Sequence, residues 1–462
     1  MKRLLLLLLL ISLPIFADGI TDLRRSCFQR ALIIHPNYWL AECIQEMFST
    51  EPVHLTIGTV APGAGILAYG VGLSHERRFG QQEVLASGSA VRSTDGSFLL
   101  RGAITFALPP LGVADVSHDS ARFGSRSRSP VAGISTLDAK ASLTLTALRM
   151  EAKEQDFYGL GNTTDRSARA GYSLRLNDFG IVLNNPLFLW SSVGFDAHFL
   201  QPRSGLSSDT GIPPARDEFN EFTAPGITTR TDFLSFRPNL KIQIPPRRST
   251  YVGLDLGYTF YHSLSDSSRY SFRRLSATTR VVYPIHLLAK RSAIFEEVTA
   301  PEQSVRVRPM TPGRWLREAV CWSERSGESC SLGNISASAA VDYSFTGAPS
   351  DVPFYFQDTL GGTDFDGNET LRGYADYRFR GPNRKYGQLE YRHPIWGPLG
   401  MLGFYDVGKV ALDRSDLSID HLHHNWGIGL YARIGTREIA RVYFGFGTRE
   451  GTQLHPKMGS LF

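Results

Sequence analysis

Past its first seventeen residues the chain has no run of about twenty apolar residues, the length a helix needs to cross a bilayer. That excludes a helical membrane protein. Cysteine is scarce, with four in 462 residues. Neither Cys27 with Cys43 nor Cys321 with Cys330 has the close CxxC spacing of a zinc site, and no metal is expected. An excess of one charge is also missing. The net charge is +5, and Lys and Arg are scattered rather than massed, so nucleic acid is not an expected partner. There is no GxSxG elbow, and the GLG at Gly159–Gly161 is too short to cradle a phosphate. No catalytic residue and no cofactor is expected.

Glycine and aromatics are abundant: 44 Gly, 28 Phe and 18 Tyr. Mean hydropathy is only −0.15. A transmembrane barrel alternates lipid-facing and lumen-facing residues, so its average looks soluble. If the chain sits in a membrane, it must do so as a closed barrel.

Residues 1–17 have the parts of a secretory signal peptide: basic Lys2 and Arg3, an apolar run Leu4–Leu13, and a small residue at Ala17. Secretion places the cysteines in an oxidising compartment. Residues 18–52 read as a short helical segment. Two helices folding back at His35-Pro36 would bring Cys27 opposite Cys43, and Cys321 and Cys330 bracket a small loop. Two disulfides are the expected pairing, with free thiols as the alternative.

From Val53 to the end, residues 53–462, the dominant period is two. Val252, Leu254, Leu256, Tyr258 and Phe260 alternate with Gly253, Asp255, Gly257, Thr259 and Tyr261. Sixteen such segments begin near Val53, Gly65, Glu83, Ser97, Ala141, Ala168, Leu187, Thr231, Tyr251, Tyr270, Asn334, Gly387, Gly400, Asn425, Ile439 and Thr452. Each spans about ten residues, which suits tilted bilayer-crossing strands. The expected fold is all-β: an antiparallel transmembrane barrel of sixteen strands in the bacterial outer membrane. Short turns alternate with longer loops such as Gln201–Thr229. Ala107–Ala139 and Leu287–Gly333 break this rule, being long connections on the short-turn side.

Strand phase selects a candidate site. Leu389 and Tyr391 take the lipid-facing phase, so Glu390 faces the lumen. Met401, Tyr405 and Val407 do likewise, so Phe404, Asp406 and Gly408 face inward. Two neighbouring carboxylates repel and invite a cation. The preceding glycine-rich loop, residues 348–386, can fold inward and deliver Arg372, whose planar fork suits paired carboxylates. His421, His423 and His424, with Asp413, Asp416 and Asp420, read as a solvated outer loop.

LRGY at Leu371–Tyr374, GQLEYR at Gly387–Arg392 and GFYDVG at Gly403–Gly408 resemble, in that order, the C-terminal signature of the BamA/TamA superfamily of outer-membrane barrels, also called bacterial surface antigens. LGG at Leu360–Gly362 and FYGLGN at Phe157–Asn162 are similar to further segments of its members. The resemblance implies sixteen strands and an inward loop held by Arg372, with Gly373 and Tyr374 beside it, on Asp406. It implies a lateral seam between first and last strands as the place where protein enters the membrane. The assembly-type members carry POTRA modules ahead of the barrel. Residues 18–52 are too short for one, so a compact, POTRA-lacking member is expected.

At the seam, Thr56, Gly58 and Pro62 mark the first strand region. Pro456, which cannot donate to a ladder, marks the last, with Gly459 and an aromatic end at Phe462. The expected function is insertion or translocation of protein, or of lipid, at the outer membrane. The partners would be outer-membrane lipid, an unfolded outer-membrane or secreted protein, and a periplasmic protein. A passive channel or structural surface barrel is the alternative.

Overall fold

The computed structural model describes residues 53–58, 60–61, 68–79, 82–108, 141–188, 190–244, 250–265, 267–288, 329–347, 350–364, 367–396, 399–434, 437–448 and 450–458. The expected signal peptide, the helical segment, Cys27, Cys43, Cys321, Pro62, Gly459 and Phe462 lie outside these residues. Cys330 falls at the start of a strand.

Alternating residues form a single sixteen-stranded antiparallel sheet. Its first half contains β1 (Val53–Gly58), β2 (Ala68–Phe79), β3 (Gln82–Ser93), β4 (Phe98–Leu108), β5 (Ala141–Phe157), β6 (Ala170–Phe188), β7 (Ser191–Leu206) and β8 (Phe233–Ile244). Then come β9 (Tyr251–Ser263), β10 (Phe272–Leu288) and β11 (Ser329–Phe345). A two-stranded hairpin, β12 (Asp358–Leu360) and β13 (Phe379–Gly381), interrupts the order. The sheet resumes with β14 (Asn383–Trp396), β15 (Leu399–Ala411), β16 (His423–Ile434), β17 (Arg437–Phe446) and β18 (Gln453–Met458). Each strand pairs with its sequence neighbour, apart from the hairpin inserted between β11 and β14. β1 and β18 lie beside each other, but among the described residues no ladder joins them.

The period-two pattern becomes two surfaces. On β16, Trp426, Ile428 and Leu430 are 51, 54 and 61% exposed, while Asn425 between β15 and β17 is fully buried. The same outward phase carries Phe179, Ile181 and Leu183 on β6, and Leu389 and Tyr391 on β14. Apolar side chains facing outward all round a barrel are stable only against lipid. No helix among the described residues is long and apolar enough to cross a membrane; the strands cross it.

Every expected strand start lies within a few residues of an observed one; the largest displacement is Asn334 against Ser329. Strand length differs more. Instead of about ten residues, β5, β6 and β7 have 17, 19 and 16. Gln201, expected in a loop, belongs to β7, and β14 begins at Asn383 inside the expected 348–386 loop. The outer ends of β5–β7 extend because they support an apolar dome. Phe157, Tyr172, Leu200 and Phe233 from the wall pack there against Ile227, Phe354 and Tyr355 from two loops. Charged residues on the outward face of these extensions, such as Glu151 and Arg175, hide the strand period from the sequence. The connections 109–140 and 289–328 both fall at the short-turn end.

In the dome, the Glu221 carboxylate accepts hydrogen bonds from the backbone N–H of Gly226, Thr228 and Thr229 at 2.7, 2.7 and 3.0 Å, and from the Tyr270 hydroxyl at 2.9 Å. Burial pushes its pKa up, but these donors and the Thr228 hydroxyl outweigh burial and hold it down at about 2. Because the folded value is depressed, this stabilisation is complete above the ordinary 4.5 and is lost as pH falls toward about 2. Pepsin cleavage at the neighbouring Phe222, which is 91% exposed, should therefore rise across that window relative to an unfolded control substrate. Glu221→Gln should be cut readily throughout it. A flat parent profile would contradict this account.

Candidate functional site

The site starts with a glycine. A Cβ at Gly427 of β16 would lie 2.2 Å from the Phe404 ring. With no side chain there, the ring lies flat over the lumen wall. Phe404 and Asp406 are two apart on β15, so both face inward. The Arg372 guanidinium sits 3.7 Å above the Phe404 centroid, an aromatic face favourable to a cation. Its edge meets the carboxylate: Nε donates to Asp406 Oδ2 at 3.0 Å and Nη2 to Oδ1 at 2.7 Å. The Arg372 backbone N–H donates to Oδ2 at 3.0 Å. Its Nη1 donates to Glu390 of β14. Arg372 is 2% exposed and Asp406 0%.

Register brings further donors to Asp406. Gln388 on β14 and Asn425 on β16 are its ladder partners on either side. Their amides donate to it at 3.3 and 3.2 Å. Gln388 also donates to the carbonyls of Glu369 and Thr370, so it grips the loop backbone as well. Gly373 lies over β17: a Cβ on Gly445 would be 2.5 Å from Gly373 Cα and 2.6 Å from the Arg372 carbonyl. Tyr374 packs with Leu360, Leu371 and Phe379 in a buried cluster.

Around Arg372 the charges form a closed circuit. Glu390 accepts from Arg392 at 2.5 Å, and Arg392 pairs with Glu438 at 2.8 Å. Glu438 meets Arg441 at 2.6 Å, Arg441 meets Glu369 at 2.5 Å, and Glu369 returns to Arg372 at 3.9 Å. With Asp406 and Lys457, four cations face four carboxylates. Buried charges persist only when paired in this way.

The loop's other arginines are also occupied. Arg378 donates to Glu450 at 2.6 Å and to the Thr164 carbonyl at 2.6 Å. Arg380, fully buried, donates to the Phe354 carbonyl at 2.9 Å and the Tyr172 hydroxyl at 3.0 Å. Arg384 at the start of β14 bonds Asp342 and Asp364. The loop also reaches the last strand. His455 of β18 donates to the Tyr374 carbonyl at 3.1 Å, and Lys457 to the Gly367 carbonyl at 2.9 Å.

The structure thus brings Arg372, Glu390 and Asp406 together, with Gly373 and Tyr374 alongside. Thr56 is buried on β1, Gly58 pairs with Ala68, and Pro456 pairs with Val442 of β17. Sequence reasoning did not single out Gln388 as a ligand of Asp406, nor Asn425, Gly427, Gly445, Glu369 or Arg441. Cross-strand register, which no local pattern encodes, positions most of them. Asn162 of FYGLGN accepts from His423 through its carbonyl at 2.7 Å, and its amide donates to the His421 carbonyl at 2.9 Å. His423 stacks on Phe379 at 3.9 Å. Among the described residues no three His, Cys, Asp or Glu converge on a metal-sized site.

No protein-family model and no curated protein matches the chain. Among solved structures it is similar to BamA from Haemophilus ducreyi lacking POTRA domains 1–3, at 12% identity and TM-score 0.48, covering 88% of this chain and 70% of that one. It is similar to CdiB from Escherichia coli at 13% identity and TM-score 0.48, and to CdiB from Acinetobacter baumannii at 11% and 0.46. The chain spans 62% and 59% of the length of these two CdiB proteins. Its own architecture is that of an outer-membrane β-barrel.

Proposed function

We propose that this barrel moves or inserts protein at the outer membrane through the seam between β1 and β18, without catalytic chemistry. The observation that carries this reading is the loop 346–382, which is folded into the lumen with Arg372 clamped between Asp406 and Glu390. A passive channel, whose bore the same loop would narrow, is the alternative.

The mechanism follows from the connections. β18 is six residues long and β1 also six, and neither has a ladder partner on its seam side among the described residues. Exposed strand edges are templates for another strand. The inward loop holds β18 through His455 and Lys457, and holds β17 through Arg441. A substrate that displaces the loop would release these bonds and free the edge. Outer-membrane lipid receives the inserted chain. An unfolded outer-membrane or secreted protein is the substrate class, delivered by a periplasmic partner.

Disulfide locking tests this directly. Cysteines are scanned along β1 from Thr56 and along β18 from Gln453, with the native cysteines replaced by Ser. Growth or secretion that depends on the seam being reduced supports a gate. Full activity with the seam locked would rule the gate out and leave the channel reading, which a steady single-channel conductance would then support.

A further inference from the structure

A second feature lies on the outside of the wall. Arg175 of β6 and Arg203 of β7 are direct ladder partners, as are Arg175 and Glu151 of β5. Arg175 shares the outward phase of Phe179, Ile181 and Leu183, and Arg203 that of Val193 and Phe195. Like charges placed opposite each other on one face destabilise a sheet. Carboxylates relieve part of this: Glu151 takes Arg175 Nε at 3.1 Å, and Asp232 takes Arg203 Nη2 at 2.5 Å. Arg203 Nη1 is held by the Pro202 and Thr231 carbonyls. Arg230, exposed beside them, has no ion pair or hydrogen bond among the described residues.

The three arginines line a cleft of about 320 Å³. The cleft is open because the next ladder pair outward is Ser173 with Gly205, both small. Its lining carries three cations against one carboxylate, Glu151, with Asp232 just beyond.

Its height is also informative. Phe188 and Trp190 stack at 5.5 Å by the short turn between β6 and β7. From Phe188 to Phe179, β6 rises roughly 30 Å along its own axis. At the usual tilt that fills the ~25 Å apolar band of such barrels. Arg175 lies four residues further out, at the level of lipid headgroups on the long-loop side.

We propose that Arg175, Arg203 and Arg230 form a binding site for the phosphate of an anionic lipid headgroup in that leaflet. The phosphate would lie between Arg175 and Arg230, with the acyl chains running down past Phe179 and Ile181. Arginine suits this role because its fork donates two parallel hydrogen bonds to one phosphate. This site is independent of the seam and of the lumen loop.

Native mass spectrometry of the detergent-purified full chain tests it, with bis-phosphorylated lipid A as the probe. The double variant Arg175→Gln, Arg230→Gln should bind about tenfold more weakly, the size of effect expected from losing charge-assisted bonds. Ser173→Leu, which fills the cleft without altering charge, should weaken binding similarly. Arg77→Gln, on β2 beside its short turn to β3, should bind like the parent. A lipid A analogue lacking both phosphates should not discriminate between parent and double variant. Parent-like binding by both cleft variants would overturn the site. So would one-for-one displacement of the lipid by inorganic phosphate, which would identify a soluble-anion site.

Discussion

Replacing Arg372 with alanine is expected to leave a folded sixteen-stranded barrel while opening the segment 361–382 to protease. The barrel's ladders run strand to strand and do not involve this side chain. The loop depends on it. Arg372 supplies the guanidinium bonds to Asp406 and the bond to Glu390, all buried. Alanine leaves two carboxylates facing each other without their shared cation. Removing one partner of a buried pair typically costs about 3–5 kcal/mol, which works against the apolar packing of Leu371, Tyr374 and Phe379 that also holds the loop. Limited proteolysis reads the loop, and heat-modifiable migration on a denaturing gel reads the barrel. Arg372→Lys, which keeps the charge and loses the fork, should fall between parent and alanine. A loop as protected as in the parent would remove the lumen anchor from the mechanism. An unfolded barrel would mean that the pair serves folding instead.

Gly445→Ala should release the same loop by steric force alone. A Cβ there would sit 2.5 Å from Gly373 Cα, 2.6 Å from the Arg372 carbonyl and 2.8 Å from Gly373 N. These are backbone atoms, which cannot rotate away as a side chain can. Overpacking commonly costs about 1–3 kcal/mol, and here the strain falls on the turn that presents Arg372. Every charge in the circuit remains, so loop release would show that fit as well as charge holds it. Gly102→Ala on β4 is the control, because its Cβ would meet nothing within 4 Å. Equal protease protection in the two variants would show that the loop approaches β17 less closely than described. If Gly445→Ala also weakens seam activity, the loop and the seam are coupled as proposed.

Much of the molecule was legible from spacing. Alternation from Val53 onward gave sixteen strands, because a pleated strand must turn successive side chains to opposite faces and lipid accepts only apolar ones. The same rule placed Glu390 and Asp406 in the lumen, since Leu389, Tyr391, Tyr405 and Val407 occupy the other phase. The need of paired carboxylates for a cation pointed to Arg372. The extra length of β5–β7 stayed hidden, because toward their outer ends Glu151, Arg175 and Arg203 replace the apolar residues that mark a strand.

The sequence by itself therefore determined the period, the strand number and which face each residue takes, since these depend only on local backbone geometry. Tertiary structure alone decided the neighbours. Gln388 and Asn425 flank Asp406, Gly445 admits Gly373, Glu369 meets Arg441, and Arg175 faces Arg203. These pairs join residues on different elements, and the ladder register that aligns them is set across the whole sheet.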